Sequence, residues 1–202
     1  MLHFGLPLPF LACRVRSLAA GLWLLLALSA SPQAGDAGPT TFAETEVKAA
    51  FVYNFAHFVR WPEGNMARSG EPFRYCVFDD TLATLLAKAV AGETLDGRPL
   101  VVLRQPEFRN LQECHLIYFG EQSVLGPTLQ ADVLRRLTGS AILTVSDQPG
   151  FAARGGMITL VRKRGRIHPV INTDATERAE LRISAKLLNL ATLTRDGKGG
   201  VQ

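Results

Sequence analysis

The sequence predicts one α/β domain, a three-layer-like sandwich. Its central sheet is mostly parallel, with about six strands, an antiparallel edge hairpin and about five flanking helices. Two observations carry this. Short apolar runs alternate with helix-period segments from residue 44 to residue 145, the order of a parallel sheet with crossover helices. Then two strand-like runs, Met157 to Lys163 and Arg166 to Asn172, are separated only by Arg164–Gly165, a hairpin signal. The length agrees, because 202 residues supply one sizeable core and not two large ones.

The first segment reads as an address. Arg14 and Arg16 precede a low-polarity run from Leu18 to Ala30. Small residues follow, including Ser31, Ala34 and Gly35. A basic start, an apolar middle and a small-residue end make a secretory signal over residues 1–34, with cleavage between 29 and 37. The run is short of the roughly 20 apolar residues a membrane span needs, although an uncleaved anchor is the alternative reading. Cys13 lies before the apolar run rather than after it, which argues against lipidation at that cysteine.

Glu44 to Trp61 is the clearest helix. Val47, Ala50, Phe51, Phe55, Phe58 and Val59 recur at helical spacing. Thr41 and Glu44 form a capping-box pattern, and Pro62 stops the helix. Residues 63–71 are turn-rich. Phe73 to Phe78 reads as a strand and Thr81 to Val90 as a helix. Gly97–Arg98–Pro99 is a turn before a strand at Leu100 to Leu103. Pro106 to Glu113 is a short helical or irregular link. His115 to Phe119 is a strand. Val124 to Leu137 is a helix with Leu129, Val133, Leu134 and Leu137 inward, and Ala141 to Val145 is a strand. After the hairpin come a short helix, Thr173 to Ala179, and a last helix that Ser184 caps and that runs to Leu193. The expected domain covers residues 40–193, and residues 194–202 form a polar, Gly-rich tail expected to be disordered.

Charge and cysteine usage narrow the class. After cleavage the chain carries 20 Lys+Arg against 18 Asp+Glu, a mixed balance that gives no footprint for nucleic acid. The mature chain keeps two cysteines, Cys76 and Cys114. In an oxidising compartment they are expected to pair, and closing that loop is worth about 3–4 kcal/mol. Two buried free thiols are the alternative.

Motifs for catalysis are missing. Gly155–Gly156 lacks the spacing of a phosphate loop, and no G-x-S-x-G elbow occurs. Gly155–Gly156 reads instead as a tight turn before a strand. His57, His115 and His168 are far apart and have no metal-ligand spacing, so neither metal nor cofactor is expected. Asp79–Asp80 follows a strand, where Asp80 or Thr81 is expected to cap the next helix. Arg166, His168 and Asn172 alternate on one strand and share a face. They form a candidate site for a ligand or a partner, with Arg166 suited to a carboxylate or phosphate. Asn172 alternatively caps the helix that follows it.

Five segments in order carry a family resemblance. They are E-V-K-A-A-F-V-Y-N-F-A-H-F-V-R-W-P (Glu46 to Pro62), L-T-V-S-D (Leu143 to Asp147) and G-F-A-A-R-G-G-M-I-T-L-V (Gly150 to Val161). R-I-H-P-V-I-N (Arg166 to Asn172) and I-S-A-K-L-L-N-L-A (Ile183 to Ala191) complete the set. With Cys114 before an apolar strand, residues 44–191 closely resemble the YfiR-like family of exported bacterial proteins. The resemblance implies a periplasmic, non-enzymatic α/β domain that tends to form a homodimer. It implies repression of a membrane-bound diguanylate cyclase through the periplasmic region of that cyclase, which restrains cyclic-di-GMP synthesis and biofilm formation. It implies a Cys76–Cys114 disulfide, which reducing stress could break. The second disulfide of some members is absent, because no cysteine follows Cys114. A ligand-binding sensor and a periplasmic hydrolase are the alternatives.

Overall fold

A computed structural model describes residues 41–63, 71–121, 123 and 125–197. The expected signal sequence, most of the turn-rich loop, the start expected for the third long helix at Val124, and tail residues 198–202 lie outside the described residues.

The first helix, α1 (Thr41–Phe58), starts earlier than the capping-box pattern suggests and stops before Trp61. The next two residues form a strand instead, β1 (Val59–Arg60). It pairs antiparallel with β9 (Arg182–Ile183) in a small separate sheet. That pairing, with the Ser184 N–H donating to the Phe58 carbonyl, takes the chain out of helical geometry before Pro62 is reached.

The main sheet contains β2 (Phe73–Val77), β3 (Thr94–Leu95), β4 (Arg98–Arg104), β5 (Leu116–Phe119), β6 (Leu143–Ser146), β7 (Ile158–Lys163), β8 (Arg166–Asn172) and β10 (Thr192–Thr194). Their order is β10-β8-β7-β6-β5-β2-β4-β3, eight strands rather than about six. β4, β2, β5, β6 and β7 run parallel. β7 and β8 form the expected antiparallel hairpin, turning at Arg164 and Gly165, both at positive φ. The hairpin is not the edge, because β10 pairs parallel with β8 beyond it. Helix α5 (Ala185–Leu190) therefore ends before Leu193, and Thr194 belongs to the sheet rather than the tail.

Side-chain alternation splits the core. Phe73, Tyr75, Val77, Leu116, Tyr118, Leu143 and Val145 face α1, α2 (Asp80–Ala89) and α4 (Thr173–Arg178), together with α5. Cys76, Phe78, Ile117 and Phe119 point the other way. There they meet α3 (Pro127–Leu137), a 3-10 helix at Phe108–Glu113, and Phe151. Helices thus cover both faces, which a parallel sheet requires because each of its faces is apolar. Val133 and Leu137 are buried as expected, but Leu129 is exposed. The face that α3 turns to the core runs through Gln130, Val133 and Leu137, and Leu129 stands one position off it. Of the aromatic residues of this segment, Phe55 in α1 and Trp61 after β1 are core, whereas Phe51, Tyr53 and Phe58 are only half-buried against it.

Candidate functional site

Open α/β sheets bind ligands beyond the carboxyl ends of their strands, where strand order reverses. Here that point lies between β2 and β5, since the chain leaves β2 for β4 and returns to β5. Asp79 stands there, and its carboxylate accepts from the Leu82 N–H at 2.7 Å. It is therefore Asp79, and not Asp80 or Thr81, that caps α2. An added Cβ on Gly120 would lie 2.5 Å from the Asp79 carboxylate, so the cap fills the switch point.

Next to it, Lys48 of α1 donates to Asp147 after β6 at 2.8 Å and to Glu44 at 2.9 Å. Arg162 of β7 lies 3.5 Å from Glu44. Burial pulls the Lys48 pKa down, but the two carboxylates outweigh it and leave the ammonium above its ordinary value. Burial and the Asp147 charge push the Tyr118 hydroxyl up, so it stays neutral. The cluster ties α1 to the sheet and holds its protons firmly, which suits positioning better than proton transfer.

The expected trio is strung along β8. Arg166 is exposed, His168 half-buried and Asn172 fully buried. From Arg166 to Asn172 an extended chain covers about 20 Å, so the three do not converge on one pocket. Asn172 is occupied structurally. Its Oδ1 accepts from the Ala175 N–H and caps α4, and its Nδ2 donates to the Ala152 carbonyl and to Asp196.

A larger cleft opens at the amino end of the parallel strands, with a volume of about 1130 Å³. Ala56, Val59, Trp61, Leu95 and Leu181 give it an apolar floor, and Trp61 rests edge-on against Phe73. The Trp61 indole N–H is buried and has no hydrogen-bond partner among the described residues. Arg60 and Arg182 stand directly opposite each other in the β1–β9 register, so both heads project from one face. Glu63, Asp96, Glu177 and Glu180 also line the cleft. Two like charges in register repel unless an anion or acidic group lies between them. Sequence reasoning missed this cleft, because β1 and β9 have two residues each and leave no periodic signal.

Cys76 and Cys114 are joined, with Cα atoms 5.9 Å apart, and the free-thiol alternative is set aside. The bond ties β2 to the end of the Phe108–Glu113 helix. His115, the next residue, is 7% exposed and stacks on Phe73 at 4.8 Å. Its Nδ1 accepts from the Arg74 N–H. Burial first, then the Arg98 and Arg74 charges, lower its pKa to about 4. Among the described residues, no group of three or more His, Cys, Asp or Glu is placed to hold a metal. No described helix is long and apolar enough to cross a membrane.

Fold and sites together define an α/β domain with an internal disulfide and a charged cleft at one end of its sheet. The family profile described as DUF4154, YfiR/HmsC-like, matches residues 45–192, and the chain belongs to that family. Among solved structures, it is similar to a conserved domain protein from Vibrio cholerae O1 biovar El Tor, at 15% identity and a TM-score of 0.46. That match covers 75% of this chain and 60% of the other. It is also similar to an ABC domain in complex with L-Trp from Streptococcus pneumonia, at 10% identity and a TM-score of 0.47. There the coverage is 74% and 60%. The chain thus spans about three fifths of the length of these two structures. None of the curated proteins matches it.

Proposed function

We propose that this protein is a periplasmic regulator of cyclic-di-GMP signalling that acts by binding. It represses an inner-membrane diguanylate cyclase through the periplasmic sensor region of that cyclase and thereby restrains biofilm formation. The observation that carries this reading is the family match over residues 45–192, which takes in nearly the whole described domain. The disulfide supports it, because such a bond persists in an oxidising compartment such as the periplasm. Repression by binding requires tighter association with the inactive cyclase than with the active one. Deleting the gene in its native host is expected to raise cyclic-di-GMP, and the exported full chain to restore the low level. An unchanged level, or a rise that persists when every membrane cyclase with a periplasmic region is removed, overturns the reading.

The Arg60–Arg182 cleft favours a second reading, a small-ligand sensor. A ligand with an anionic group and an apolar body would meet both arginines above the Trp61 floor. Saturable binding lost in the Arg60→Ala/Arg182→Ala variant supports this reading, and binding unchanged in that variant removes it.

A further inference from the structure

On the disulfide side of the sheet, the Phe108–Glu113 helix and α3 enclose a groove of about 460 Å³. Leu111, Val133 and Leu137 form its buried floor. Phe108 and Leu129 line its two walls and are 45% and 42% exposed, an unusual cost for two large apolar side chains on one feature. Phe108 has an aromatic ring beside it. Its ring stacks on Phe78 at 6.1 Å, and Phe78 stacks on Phe119 at 5.6 Å. The disulfide fixes the same wall to β2. An aromatic beside an apolar pocket is the form that interface anchors take.

Charge indicates what fits. Arg109 stands on one wall and Arg136 on the other. The Arg109–Glu107 pair is highly exposed and therefore weak. Asp132, the acidic group of the groove, is already paired with Arg135. Two cationic heads thus flank an apolar slot with room for one large side chain and its backbone.

We propose that this groove is the surface that captures the membrane partner, by taking a bulky apolar side chain from a segment with a carboxylate next to it. Phe108 and Leu129 close on the apolar side chain, and Arg136 and Arg109 meet the carboxylate. The inference rests on the regulatory reading above and adds the place and the chemistry of the contact.

The test is site-specific photo-crosslinking of the exported full chain in its native host. The photoreactive residue p-benzoylphenylalanine replaces Phe108, Leu129 or, as a distant control on α1, Val47. Phe108 and Leu129 are expected to give an adduct with a membrane protein carrying a diguanylate cyclase domain, while Val47 does not. The crosslinked peptide is expected to contain a large apolar residue within three positions of Asp or Glu. Arg136→Glu with Arg109→Glu is expected to lower adduct yield at least tenfold, with the disulfide still formed. A cyclase adduct from Val47 alone, an unchanged yield in the charge-reversed chain, or an adduct only with a second copy of this chain overturns the groove and leaves the regulatory reading standing. No cyclase adduct from any of the three positions, together with an unchanged cyclic-di-GMP level on gene deletion, overturns both.

Discussion

Burial of His115 makes the stability of the domain depend on pH. The His115 pKa falls from about 6.5 unfolded to about 4 folded. Between those values the unfolded chain binds more protons, so stability rises with pH through this window and is lost on acidification. Full protonation costs about 3 kcal/mol by this route. In His115→Asn, the amide oxygen can still accept the Arg74 N–H but does not titrate. Urea midpoints from pH 7 to pH 4 are expected to fall less in the variant than in the parent chain. Equal slopes would mean that His115 is solvated in the folded state. Gly155 and Gly156 separate two reasons for needing glycine. Gly155 has φ +95 and open space around it, whereas a Cβ on Gly156 would stand 2.2 Å from the Phe151 ring. That ring is fully buried against Phe119. Gly155→Ala is expected to cost about 1–2 kcal/mol of backbone strain. Gly156→Ala is expected to cost roughly 1–3 kcal/mol by overpacking and to perturb the near-UV spectrum of the aromatic ladder as well.

At the scale of elements, the disulfide holds a weakly packed segment, the Phe108–Glu113 helix, to the central strand β2. The Phe108–Glu113 helix buries just one of its large side chains, Leu111, against the sheet. Reduction, or Cys76→Ser with Cys114→Ser, is expected to lower stability by about 3–4 kcal/mol, as closure of a loop of this length predicts. Urea unfolding with and without reductant measures this, and a shift below about 1 kcal/mol would mean that the unfolded chain is already restrained there. The long elements were legible in the sequence: α1 repeats the helical spacing, two strand-like runs flank the tight turn of the β7–β8 hairpin, and the central strands are short continuous apolar runs. β1, β9 and β10 were not legible. They have two or three residues each, and their strand character comes from the partner across from them. Leu129 misled because a polar residue, Gln130, takes the buried place in the first turn of that helix, and apolar spacing alone selects its neighbour. The candidate trio on β8 failed to converge for a related reason: alternation gives a shared face, and six residues of extended chain separate its two ends. Arg60 and Arg182 lie 122 positions apart in sequence, and register alone brings them together.

For the whole molecule, regulation by binding sets a quantitative requirement. A repressor that binds both cyclase conformations equally leaves the activity unchanged at any concentration. Moving a partner from mostly active to mostly inactive, 99:1 to 1:99, needs a preference of about 10⁴-fold, or about 5.5 kcal/mol. If the Phe108–Leu129 groove is the capturing surface, as proposed, that preference has to come from a difference in the partner segment it accepts. Adding purified protein to membranes that contain the cyclase is expected to lower cyclic-di-GMP synthesis to a plateau. The height of that plateau reports the preference between the two states, and the concentration that reaches it reports the affinity. Reductant separates the two roles open to the disulfide. If the bond only stabilises the fold, reduction moves the curve to higher protein concentration and leaves the plateau in place. If the bond shapes the wall that distinguishes the two cyclase states, the plateau itself rises. A plateau at full activity, with binding still measurable, would show uniform association and remove repression as the function.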